Sequence, residues 1–107
     1  MDWLGFNQEI AVDMGLDLID LSLIYYLETK VKKDEFKKVL INNETYYKIV
    51  YRDILEDLPI LKMTVTRSIG DRLKKLEKYN ILKKLVNKGE FGTYVIFKFK
   101  KGYLYLK

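Results

Sequence analysis

At 107 residues, 49% apolar and 33% charged, the chain is expected to form one domain spanning 1–107 and to bury roughly 60–70% of its unfolded surface. It contains no Cys and no His, which excludes a disulfide framework and removes the commonest metal ligand and general base together. The net charge of +5 is uneven: residues 1–57 hold 7 Lys/Arg and 12 Asp/Glu, whereas residues 58–107 hold 13 Lys/Arg and 3 Asp/Glu, an excess of ten. Such an excess in one half has the form of a footprint for a polyanion, with a plain Lys-rich composition as the bland alternative.

The first ten residues, MDWLGFNQEI, lack the basic region and apolar core of a signal peptide. No apolar run approaches the ~20 residues of a membrane span. The expectation is a cytoplasmic protein with no membrane partner. A short helix is predicted from Gln8 to Met14, with Asn7 as N-cap and Gly15 as its stop. A second helix begins at Asp17, with Asp20 three residues on completing a capping pattern, and runs to about Lys30. It is apolar on several sides, which places it at the middle of the core.

The stretch KKDEFKKVL, after Lys30, reads as a turn or two of helix anchored by Phe36, Val39 and Leu40. Asn42-Asn43 reads as a turn and Thr45–Val50 as a short strand. A helix follows over 52–57, presenting Ile54 with Leu55 or Leu58 inward, and Pro59 ends it.

The central helix carries an apolar stripe, Val65, Ile69, Leu73 and Leu76, at spacings of four, four and three. Its opposite face holds Thr66, Arg67, Gly70, Asp71, Lys74, Lys75 and Lys78. PILKM between the two helices has the length of a helix-turn-helix turn. Asn80 suits a left-handed stop. Strands are predicted over 81–87 and 93–100, joined by the glycine-bearing loop KGEFG. After Gly102, YLYL adds a strand or packs on the sheet.

The run TVTRSIGDRLKKLEKYNIL resembles the recognition helix of MarR-type winged-helix regulators. More widely, DMGLDLIDLSLIYYL, NNETYYKIVYRDILEDLPILK, that helix and GTYVIF in order resemble the winged-helix N-terminal domain of phage and plasmid replication-initiation (replisome organiser) proteins. The resemblance implies an α+β winged helix-turn-helix fold: three or four helices, a small antiparallel sheet and a β-hairpin wing. It implies binding to double-stranded DNA at an origin or an operator, in replication initiation or transcription regulation. Replication proteins or self-association are further implied partners, and a continuation beyond residue 107 is left open. MarR-type dimers use long helices at both ends, whereas this chain reads as strand at its C-terminal end.

Docked in this way, the first residues of the recognition helix reach base edges. Thr64, Thr66 and Arg67 are the candidates, with Arg67 able to bond a guanine edge twice. Against this, Thr64 could be a plain N-cap, and Arg67 could pair with Asp71 at i+4. Lys74, Lys75 and Lys78 suit backbone phosphates, which carry affinity without sequence information, and Lys84 and Lys88 suit contacts from the wing. Phe91 is set either to touch DNA or to fold onto the sheet. An enzyme is not expected: the nine Tyr have no His partners, KGEFG is no phosphate loop, and Asp53, Glu56 and Asp57 lack a second set of metal ligands. No cofactor or metal is expected. The alternative function is a winged-helix protein-interaction module docking through its acidic half.

Overall fold

A computed structural model describes residues 2–3, 5–63, 65–89 and 92–107, without the side chains of 2, 3, 87–89, 92 and 93. The fold is α+β, and the described residues form five α-helices and a four-stranded antiparallel sheet. A two-residue ladder, β1 (Asp2–Trp3) with β2 (Phe6–Asn7), leads into α1 (Gln8–Asp13). The Asn7 side chain accepts from the Ile10 N–H at 3.2 Å, and Gly15 at φ +73° stops the helix, as the sequence predicts. Helix α2 (Leu18–Lys32) opens with a reciprocal capping box: Asp17 accepts from the Asp20 N–H at 2.9 Å and Asp20 from the Asp17 N–H at 3.0 Å.

The stretch after α2 is strand rather than the expected helix. β3 (Lys38–Ile41) pairs with β4 (Glu44–Ile49), with Ile41 opposite Glu44. Asn42 and Asn43, at φ 51° and 65°, form the two-residue turn. Two consecutive left-handed residues match the twist of a tight hairpin, and Asn tolerates them better than most residues. This turn prevails over the helical charge pattern of KKDEF. α3 (Tyr51–Asp57) buries Ile54, and Pro59–Leu61 forms a single 3₁₀ turn.

α4 (Thr66–Lys78) carries Ile69, Leu73 and Leu76 into the core, all fully buried. Val65 is a correction: it is the N-cap residue, 54% exposed, because the helix starts one residue after it. Asn80, at φ 59°, is left-handed as expected. β5 (Leu82–Gly89) and β6 (Gly92–Phe99) form a hairpin with Gly89 opposite Gly92, and the sheet order is β3-β4-β6-β5. Glu90 and Phe91 lie outside the described residues, so the Phe91 expectation does too.

YLYL forms no strand. α5 (Lys101–Leu106) is a helix that seats Leu106 in the core, and it exceeds the expected three or four helices. Gly102 makes this docking possible: its N–H bonds the Asn80 carbonyl at 2.8 Å, and a Cβ there would lie 2.7 Å from Asn80 backbone atoms. The core joins α2 (Leu23, Ile24, Leu27) and α4 to one face of the sheet (Ile49, Leu82, Phe97). No helix among the described residues is long and apolar enough to cross a membrane.

Candidate nucleic-acid interface

The buried stripe of α4 fixes what its other sides can do. Arg67, Asp71, Lys74 and Lys78 follow one another at spacings of four, three and four, and all four are exposed. They form the helix's outward ridge, three cations and one acid. None of the three cations has an ion-pair partner among the described residues, so Arg67 is not held by Asp71. The Lys78 ammonium lies 5.6 Å from the centre of the Tyr79 ring.

One flank of α4 is turned inward instead. Arg72 Nη1 lies 2.6 Å from Asp17 Oδ2 and 3.1 Å from Asp20 Oδ1, and Lys75 Nζ lies 2.6 Å from Asp20 Oδ2. Asp20 is completely buried, so its charge depends on these two cations and on the Asp17 N–H. Burial works to raise the Asp17 carboxyl, but the bonds from Arg72 and the Asp20 N–H, with the charges of Arg72 and Lys75, outweigh it and hold it at about 2. Its bonds to Asp17 and Asp20, and their charges, push the Arg72 guanidinium up. Lys75 therefore ties α4 to α2 and stands apart from the outward ridge on which the sequence places it.

Gly70 leaves the polar face as well. The Tyr51 ring of α3 lies over it, and a Cβ would sit 3.4 Å from Tyr51 Cε2. At that distance a Cβ would make an ordinary van der Waals contact with the ring. Thr66 is half-buried in the first turn of α4, while Thr64 and the Lys88 side chain lie outside the described residues. Lys84 is 13% exposed and 3.8 Å from Glu77, so it joins β5 to α4 rather than reaching outward from the hairpin.

Two cations that the sequence reading passed over sit in the same block. Arg52 follows Tyr51 in α3, and Lys62, left-handed at φ 56°, ends the turn before α4; both are exposed and unpaired among the described residues. The helix-turn-helix spacing was the signal that could have found them.

Two other polar clusters hold Glu28 and Asp57. Buried Glu28 on α2 accepts from the Tyr103 hydroxyl, from Lys107 Nζ at 2.8 Å and from Lys32 Nζ at 3.1 Å, tying α5 down. Asp57 accepts from the Tyr26 hydroxyl at 2.6 Å and lies 3.6 Å from Lys30 Nζ. Burial and the Asp57 charge push that phenol above its ordinary range. Among the described residues, no three His, Cys, Asp or Glu side chains gather closely enough to hold a metal ion. Comparison of the chain with protein-family models, with curated proteins and with solved structures gives no significant match.

Proposed function

We propose that this protein is a winged helix-turn-helix module that binds double-stranded DNA, with α4 in the major groove, in replication initiation or transcription regulation. The observation that carries the reading is the exposed ridge Arg67, Lys74 and Lys78, without acidic partners among the described residues, on a helix whose opposite face is fully buried. Thirteen residues give a rod about 20 Å long, which fits a groove about 12 Å wide. The order α3, turn, α4, hairpin, with β4 pairing to β6, supports the winged-helix assignment. In this reading Arg67 meets a base edge, Lys74 and Lys78 meet phosphates, and Arg52 and Lys62 add backbone contacts from α3 and the turn.

The protein-docking alternative loses ground for a physical reason. Asp17, Asp20, Glu28 and Glu44 all pair with cations of the second half, which removes these four of its twelve acids from any negative docking face. The test is selection from a random duplex library at moderate salt. An enriched motif whose preference relaxes at one base in Arg67→Ala is expected. Absence of any enriched motif, with equal binding of all duplexes by parent and variant, would refute base reading by α4.

A further inference from the structure

The sheet has a second face, turned away from the core, and it is basic. Side chains alternate along a strand, so Ile49, Leu82 and Phe97 point to the core while Lys48, Lys83, Ile96 and Lys98 point the other way. Lys83 lies directly opposite Lys98 across β5 and β6. Lys37 is paired across the strands with Lys48, whose N–H bonds its carbonyl at 2.8 Å. Only Glu44, 2.9 Å from Lys98, offsets these four charges by ion pairing among the described residues.

Like charges directly opposite in a sheet destabilise it, and Glu44 offsets only part of that cost, so an added polyanion would be favoured on this face. The lysines are also set on a firm base. Tyr46 and Ile96 share this outward face yet are 1% and 0% exposed, and they lie outside the main core cluster. Lysines lie over the tyrosines of this face: Lys98 Nζ is 5.9 Å from the centre of the Tyr46 ring, and Lys48 Nζ is 4.9 Å from that of Tyr94.

We infer that this outer sheet face is a second nucleic-acid surface, which holds the phosphate backbone of a duplex without reading its sequence. Single-strand platforms present open aromatic faces for bases to stack on, whereas here Tyr46 is buried and Tyr94 is covered by Lys48. The cations are therefore arranged for phosphates. Because α4 packs on the opposite side of the sheet, one domain can hold two duplex segments at once. This inference goes beyond the α4 reading and can survive its failure.

The experiment is a bridging assay with the whole chain: an immobilised duplex captures a second, labelled duplex only when protein joins them. The parent should bridge, and Lys48→Gln/Lys83→Gln should lose bridging about tenfold while keeping its affinity for one duplex. Lys83→Glu alone, at an exposed position, should lose it as well, which guards against a folding defect in the double variant. An unchanged yield of bridged duplex in both variants would overturn the inference and assign bridging to self-association. A parent that binds one duplex and bridges none, with that binding unchanged in both sheet variants, would also overturn it. Retention of all binding by Lys74→Glu together with its loss in the sheet variants would refute the α4 reading and leave this one standing.

Discussion

Lys74 and Lys75 are neighbours in sequence and opposites in place. Lys74 stands on the outward ridge of α4 with no ion-pair partner among the described residues; Lys75 reaches a completely buried carboxylate on α2. The same division runs along the helix. Arg67 and Lys78 join Lys74 outside, and Arg72 joins Lys75 inside. A basic helix thus contains two populations of cations. One orients the helix by neutralising Asp17 and Asp20, and the other has no ion-pair partner among the described residues. Net charge alone does not separate them; the difference is the burial of the acid each one faces.

The largest effect should come from reversing the inner lysine. Lys75→Glu sets a like charge beside buried Asp20 and should cost about 3–5 kcal/mol of stability. Lys74→Glu should stay within about 0.5 kcal/mol, as exposed substitutions do. Urea unfolding of the two variants checks both, and equal losses would erase the distinction between flanks. Asp20→Ala should cost about 3 kcal/mol, toward the lower end for a broken buried pair, because Arg72 and Lys75 are 26% and 33% exposed and can rehydrate. Arg67→Ala should leave stability unchanged and weaken binding to a selected site by about 1–3 kcal/mol, read by titration against the site and a scrambled duplex.

The smallest effect is acid lability of the inner flank. The Asp17 carboxyl sits at about 2 when folded against an ordinary 3.8, so its contribution is complete above about pH 4 and is lost as pH falls through about 2. Solvent screening at a carboxylate 51% exposed reduces that contribution to about 1 kcal/mol. Glu28 acts in the same direction: burial works to raise it, but bonds from Lys107, Tyr103 and Lys32 outweigh that and lower it. In Arg72→Met the Asp17 part of this acid loss should shrink in melting curves taken across pH 2–5, leaving the share that the Asp20 N–H and Lys75 supply.

Much of the scaffold was legible because its signals are local. Asn7, the Asp17–Asp20 pair, Asn42-Asn43 and Asn80 specify caps and turns through their own side chains and left-handed backbones. The stripe Ile69, Leu73 and Leu76 announces its burial by spacing alone. β3 and α5 were not legible, because each depends on partners outside its own segment. β3 needs β4 beside it, and α5 needs Gly102 against residues 79 and 80, with Tyr103 and Lys107 on Glu28. The site divided in the same way. Periodicity picks out Arg67, Lys74 and Lys78, whereas the inward turn of Lys75 depends on an acid 55 residues away in sequence, and Lys84 on Glu77.

The central claim is that the outward ridge of α4, and not its inner flank, meets nucleic acid. The most direct test is the salt dependence of duplex binding by Lys74→Ala/Lys78→Ala, with folding verified by its melting curve. Loss of two phosphate contacts should reduce the slope of log K against log salt by about 2, with the melting temperature unchanged. An unchanged slope in a folded variant that still binds duplex would contradict the account.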